Sequence, residues 1–257
     1  MSEYALTQVS LSDKRMLAQV DALLVENGIT RDANLDYICA MVDEENRVIA
    51  TGSCFGATLR CFAVSQQHQG EGLLNEVVSH LMEYQMARGY THLFLDAKIK
   101  SAKFFQSLGF YEIARVDGTL VFMENRRNGF PSYLSRLEKT ARPGVSGAIV
   151  MNANPFTLGH QYLVETAAAR CDTLHLFLLS EDASLVPFGV RKQLVQAGTA
   201  HLKNVVLHDS GPYIISNATF PSYFLKDEGA VIQGHARLDL AVFVRIAKAL
   251  GVTTRFV

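Results

Sequence analysis

Gly147-Ala148-Ile149-Val150-Met151-Asn152-Ala153-Asn154-Pro155-Phe156-Thr157-Leu158-Gly159-His160 reads as a strand that runs through a broken loop into a helix. Residues 147–151 form a short continuous apolar run, as a strand covered on both faces requires. Asn152-Ala153-Asn154-Pro155 breaks the run, and a helix starts near 157–159 with Leu163, Val164, Ala167 and Ala168 as its buried stripe. A second strand follows at 173–180, a second helix at 189–199 and a third strand at 204–208. This alternation predicts an α/β fold, a doubly wound, Rossmann-like parallel sheet with right-handed crossovers. Such sheets bind ligands at the carboxyl ends of their strands, beside helix amino termini, which puts 152–160 at the site.

The residue types in that loop suit an anion. Pro155 ends the strand, and Thr157 can either cap the helix or give its hydroxyl to a phosphate oxygen. Gly159 lets a ligand approach the first turn, whose N–H groups have no intrahelical acceptor. His160 lies in the same turn, where a bound phosphate would favour the imidazolium. Arg191, after Pro187-Phe188 near the start of the next helix, offers a planar fork suited to phosphate, or is a solvated helix-surface arginine.

Upstream, Arg126 to Gly147 changes character: two arginines, then Pro131 and Pro143, then small residues. This marks a boundary. It predicts a first domain at 1–127, a linker at 128–146 that holds a short helix at 133–140, and a second domain at 147–257. In the first domain the pattern predicts strands at 47–53 and 59–64, a loop at 65–72 and a helix carrying Leu74, Val77, Val78, Leu81 and Met82. A strand at 91–97, a helix at 101–108 and a hairpin turning at Asp117-Gly118 complete it. Gly70 and Gly72 remove side chains just before a helix start, which makes either a tight turn or a seat for a pyrophosphate. The loop has neither the third glycine of a dinucleotide fingerprint nor the lysine of a P-loop.

Composition narrows the function classes. The 257 residues carry 24 Lys and Arg against 25 Asp and Glu, so no net field draws nucleic acid or an anionic membrane. No apolar run is long enough to span a bilayer, and residues 1–14 lack the pattern of a secretion signal. Cys39, Cys54, Cys61 and Cys171 are scattered, as in a reducing cytosol, and form neither a zinc site nor a disulfide framework. The expectation is a cytoplasmic protein with no protein-held metal.

The order strand, Gln67-x-x-Gly70-x-Gly72, helix, strand, helix with Ala102, Phe105, Gly109 and Phe110, then hairpin, resembles the GCN5-related N-acetyltransferase (GNAT) family. That resemblance implies that Gln67, Gly70 and Gly72 hold the pyrophosphate of a CoA-like group. Members commonly have a tyrosine after the phenylalanine of the second helix as general acid; here that position is Phe105, which has no proton to give. Asn-Pro-Phe-Thr-Leu-Gly-His resembles the HxGH nucleotidylyltransferases, in the branch with threonine first. That implies ATP as substrate with its Mg²⁺, Thr157, His160 and Arg191 acting on the phosphates, and Asn152, Asn154 and Gly159 lining the nucleotide site.

Both domains together, with residues 174–184, 188–198 and 213–226, resemble the citrate lyase ligase family. The resemblance implies adenylylation of acetate and transfer of the acetyl group to the thiol of the CoA-like prosthetic group on the acyl carrier subunit of citrate lyase. The chain reaches Val257 without the superfamily's second signature, Ile-Ser-x-[Ser/Thr]-x-x-Arg; residues 215–219 echo its beginning without the arginine. The implied consequence is a form lacking its carboxyl-terminal end, which binds nucleotide with impaired activity. The alternative function is an acetyl-CoA-dependent N-acetyltransferase with a non-catalytic nucleotide-binding domain.

Overall fold

The structure, a computed structural model, describes residues 4–180, 185–214 and 228–257. The echo at 215–219 lies outside the described residues. The chain forms two units, one built on 4–127 with 228–234 and the other on 128–214 with 235–257.

The first unit runs β1 (Ala5–Gln8), α1 (Lys14–Glu26), β2 (Tyr37–Val42), β3 (Val48–Phe55), β4 (Thr58–Val64), α2 (Leu73–Ala87), β5 (Phe94–Lys98), α3 (Ala102–Ser107), β6 (Tyr111–Val116) and β7 (Leu120–Glu124). The strands make one seven-stranded sheet in the order β1-β2-β3-β4-β5-β7-β6. The Asp13 carboxylate caps α1, accepting from the N–H groups of Arg15 and Met16. α1 covers one face, packing Val20, Leu23 and Leu24 with Ile38, Ala40 and Ala63. α2 and α3 cover the other, packing Val77, Val78, Leu81 and Phe105 with Met41, Leu95 and Phe110. Gly52 allows the close fit of α2: a Cβ there would stand 2.6 Å from a Val77 methyl.

One break in this sheet positions a cavity. β4 and β5 are parallel and pair only at Thr58↔Phe94 and Leu59↔Leu95. Beyond that, β4 bulges at Cys61, a non-glycine residue at φ +54°. A bulge re-aims a strand and ends its pairing, so β4 and β5 part.

The second unit runs α4 (Gly129–Glu138), β8 (Ser146–Met151), α5 (Leu158–Ala168), β9 (Thr173–Leu178), α6 (Phe188–Thr199), β10 (Val205–Asp209), α7 (Glu228–Leu250), which belongs here from residue 235 onward, and β11 (Val252–Phe256). Residues 128–146, read from sequence as a linker, contain α4, which buries Phe130, Tyr133 and Leu137 within this unit. The four strands pair in parallel in the order β10-β9-β8-β11. The order therefore steps one way from β8 to β10 and the other way to β11. The loop leaving β8 sits where it reverses, the crevice in which doubly wound sheets take their ligands. Leu174, Leu176 and Leu178 face α5 and α6, while Phe177 faces α7, its ring edge-on to Phe243.

Candidate functional site

Phe156 seats the β8–α5 loop: its ring fills the space that a side chain at Gly198 of α6 would occupy. Ala153 lies buried at φ +48°, a strained conformation for a residue with a Cβ. Thr157 caps α5, and its partner is His160. The Thr157 N–H donates to His160 Nδ1 at 3.1 Å, and Thr157 Oγ1 lies 2.8 Å from the same nitrogen. A main-chain N–H can only donate, so Nδ1 is the acceptor; the hydroxyl donates to it as well, and the ring proton sits on Nε2. The Phe156 ring stacks against the imidazole at 5.8 Å. Thr157 and Gly159 are exposed, His160 is half-buried, and Leu158 beside them is 83% exposed. A Cβ on Gly159 would meet only Thr157 Oγ1, at 3.7 Å, so the protein's own packing does not demand glycine there.

Arg191 is placed differently from the sequence expectation. It is fully buried, not at the surface facing an anion. Its guanidinium donates to the main-chain oxygens of Asn152 (2.8 Å), Leu179 (2.9 Å) and Val186 (2.9 Å), and to Asn152 Oδ1 (3.0 Å). Phe188 lies against it, 5.5 Å from the ring centroid. Asn154 Oδ1 accepts from the Val186 N–H at 2.9 Å. Arg191, Asn152 and Asn154 therefore tie the ends of β8 and β9 to the start of α6, using groups the sequence reading assigned to the ligand.

In the first unit, Gly70 (φ +92°) and Gly72 (φ +84°) take left-handed conformations that residues with side chains adopt only with strain, and Gly72 caps α2 with no side-chain bond. They border a cavity of about 500 Å³ whose other walls include Phe62, Val64, His68, Leu73, Leu74, Asn75, Ser101 and Phe104. Gln67, expected in this site, is exposed and outside that lining; His68 takes its place, with Tyr4 edge-on at 5.8 Å. Among the described residues no group of three or more His, Cys, Asp or Glu side chains converges to hold a metal, and no helix is long and apolar enough to cross a membrane.

Residues 146–257 match the profile of the citrate lyase ligase C-terminal domain, and residues 6–110 that of the GNAT acetyltransferase family. [Citrate [pro-3S]-lyase] ligase of Escherichia coli K12 is 39% identical over 253 residues, covering 98% of this chain and 72% of that protein. The chain belongs to the citrate lyase ligase family. The ligase of the same name from Klebsiella pneumoniae is also 39% identical, over 96% of this chain and 72% of its own length. The solved structure of Escherichia coli ElaA covers 49% of this chain and 100% of itself, with a TM-score of 0.41 and 18% identity. Within the family fold, Thr157, Gly159 and His160 come together on one helix turn, with Asn152, Asn154 and Arg191 behind them as its anchorage.

Proposed function

We propose that this chain is an ATP-dependent ligase that adenylylates acetate and passes the acetyl group to the thiol of the CoA-like prosthetic group on the acyl carrier subunit of citrate lyase. The observation that carries this reading is the start of α5, with its imidazole locked to present Nε2–H beside the first-turn amides at the reversal of the sheet. Those donors fit a triphosphate. An acetate oxygen attacks the α-phosphorus, the bond to the β-phosphate oxygen breaks, and pyrophosphate leaves. The amides of Leu158 and Gly159 and His160 Nε2–H take up the charge that grows on the departing oxygens, at a fixed geometry that needs no reorganisation. Thr157 holds the ring and Arg191 holds the loop. Mg²⁺ carried in on ATP would neutralise phosphate charge here.

The first unit suits the other substrate. Gly70, Gly72 and the opening amides of α2 fit the pyrophosphate of the prosthetic group, and Phe62, Leu74 and Phe104, with Asn75 and Ser101, fit the apolar and polar groups of its arm. The N-acetyltransferase reading is weaker, because Phe105 offers no proton to a departing thiolate.

Acetate-dependent exchange of labelled pyrophosphate into ATP tests adenylylation, and acetyl-thioester on the thiol-form carrier tests transfer. Gly70→Val with Gly72→Val should cut carrier use while ATP binding persists; equal loss of both would break the division of labour. Acetyl-CoA consumption with an amine, and no exchange, would replace the reading by the N-acetyltransferase.

A further inference from the structure

Residues Gln66–His68 make one short 3₁₀ turn ahead of α2, closed by the His68 N–H, which donates to the Ser65 carbonyl at 3.0 Å. Such a turn sets neighbouring side chains a third of a revolution apart, so adjacent residues cannot face the same way. Gln67 lies exposed, and His68 stands half-buried in the wall of the large cavity, just ahead of Gly70. We infer that His68 selects a phosphate-bearing ligand, its imidazole donating an N–H to a phosphate oxygen seated at Gly70 and Gly72. This rests on the carrier half of the ligase reading and names the side chain that gives that half its specificity.

Three observations carry the inference. His68 Nδ1 is buried and finds no hydrogen-bond partner among the described residues. A buried nitrogen left so is costly, and a ring turned toward a bound anion escapes that cost. Next, no Lys, Arg, Asp or Glu belongs to the described lining of this cavity, so His68 is the residue there that can meet a phosphate with a charged donor. Asn27, a polar neighbour in the lining, donates to the carbonyls of Leu23 (2.9 Å) and Val64 (3.3 Å), so its amide serves the end of α1. Lastly, the surroundings keep opposing charge away. Tyr4 backs the imidazole edge-on at 5.8 Å, and its hydroxyl donates to the Glu71 carboxylate at 2.9 Å. Glu71 stands between the two glycines, where a carboxylate would repel an anion, yet with Tyr4 as its partner it lies outside the lining.

Isothermal titration calorimetry of the full chain with dephospho-CoA, which keeps the pyrophosphate and the arm, tests the assignment. His68→Phe keeps a ring against Tyr4 but has nothing to donate. It should weaken binding about tenfold or more, the scale of a hydrogen bond to a charged group. Its urea-unfolding midpoint should hold or rise, because the Nδ1 it removes makes no bond with the described residues. His68→Asn, with an amide nitrogen near the position of Nδ1, should recover part of the affinity. In a chain carrying Gly70→Val and Gly72→Val, adding His68→Phe should change nothing further, since all three act on one phosphate seat. A loss smaller than about tenfold, a loss accompanied by a lower unfolding midpoint, or an undiminished effect of His68→Phe in the glycine double variant would overturn the assignment. A parent that performs acetate-dependent pyrophosphate exchange but binds no dephospho-CoA would overturn the carrier half of the ligase reading together with this assignment. A parent that binds dephospho-CoA through His68 but shows no exchange would overturn the adenylylation reading and leave this one standing.

Discussion

Both units open a helix start at a loop, yet they build that opening differently. Ahead of α2, two left-handed glycines bare the backbone, no side chain caps the helix, and a roomy cavity with both polar and apolar walls lies alongside. Ahead of α5, the cap is a threonine bonded to a histidine of fixed tautomer, and a buried arginine braces the loop through main-chain oxygens. The first arrangement suits a long, mixed ligand that must be held; the second suits a compact charge that must be met at a set angle. A helix amino terminus is thus a general device, and its supports decide whether it grips or reacts.

The sharpest way to break this contrast is at Arg191. Replacing it by methionine strips three carbonyls of a buried donor and should cost about 3 kcal/mol or more by urea unfolding followed by circular dichroism. Lysine should not rescue it, lacking the planar fork. An unchanged midpoint with weaker ATP binding would instead make Arg191 a ligand contact. His160→Ala should cost about 1 kcal/mol, the scale of a helix cap, because Nδ1 accepts from the Thr157 N–H. It should also slow adenylylation by about 100-fold to 1,000-fold, the loss seen when one fixed donor is removed.

A pH titration probes the sheet beneath. His208 is pushed down to about 4 by burial and by His175 at 2.9 Å, against Asp209. The unfolded chain binds this proton near pH 6.5 and the folded chain near 4, so stability is whole above 6.5 and falls as pH drops toward 4. His208→Gln should flatten that slope; an equal slope would place the acid sensitivity elsewhere. The smallest effect concerns Gly159→Ala, which should raise stability by up to about 1 kcal/mol, since the added methyl is tolerated and helix propensity improves. ATP affinity should fall at the same time. A rise in stability with unaltered ATP affinity would mean that no ligand comes close to this turn.

Much of this was legible in the sequence because local and global signals agreed. The apolar run at 147–151, the break at Asn154-Pro155 and the stripe of α5 each specify their own element, and their order specifies the sheet. Residues 1–46 carried a weaker pattern: β1, α1 and β2 were not read, although Asp13 before Lys14 is an ordinary capping signal. The burial of Arg191 was not legible because sequence gives a residue's helix and not its burial, and a fully buried arginine is uncommon. The cavity was illegible for a related reason. It lies where β4 bulges at Cys61, and nothing in Arg60-Cys61-Phe62 signals a left-handed residue.

The central claim is that ATP's phosphates dock on the first turn of α5. A crystal structure of the chain with a non-hydrolysable ATP analogue tests it most directly. The account predicts phosphate oxygens within hydrogen-bond distance of the Leu158 and Gly159 amides and of His160 Nε2. A triphosphate lodged instead at Gly70 and Gly72, or His160 turned to carry its proton on Nδ1, would contradict it.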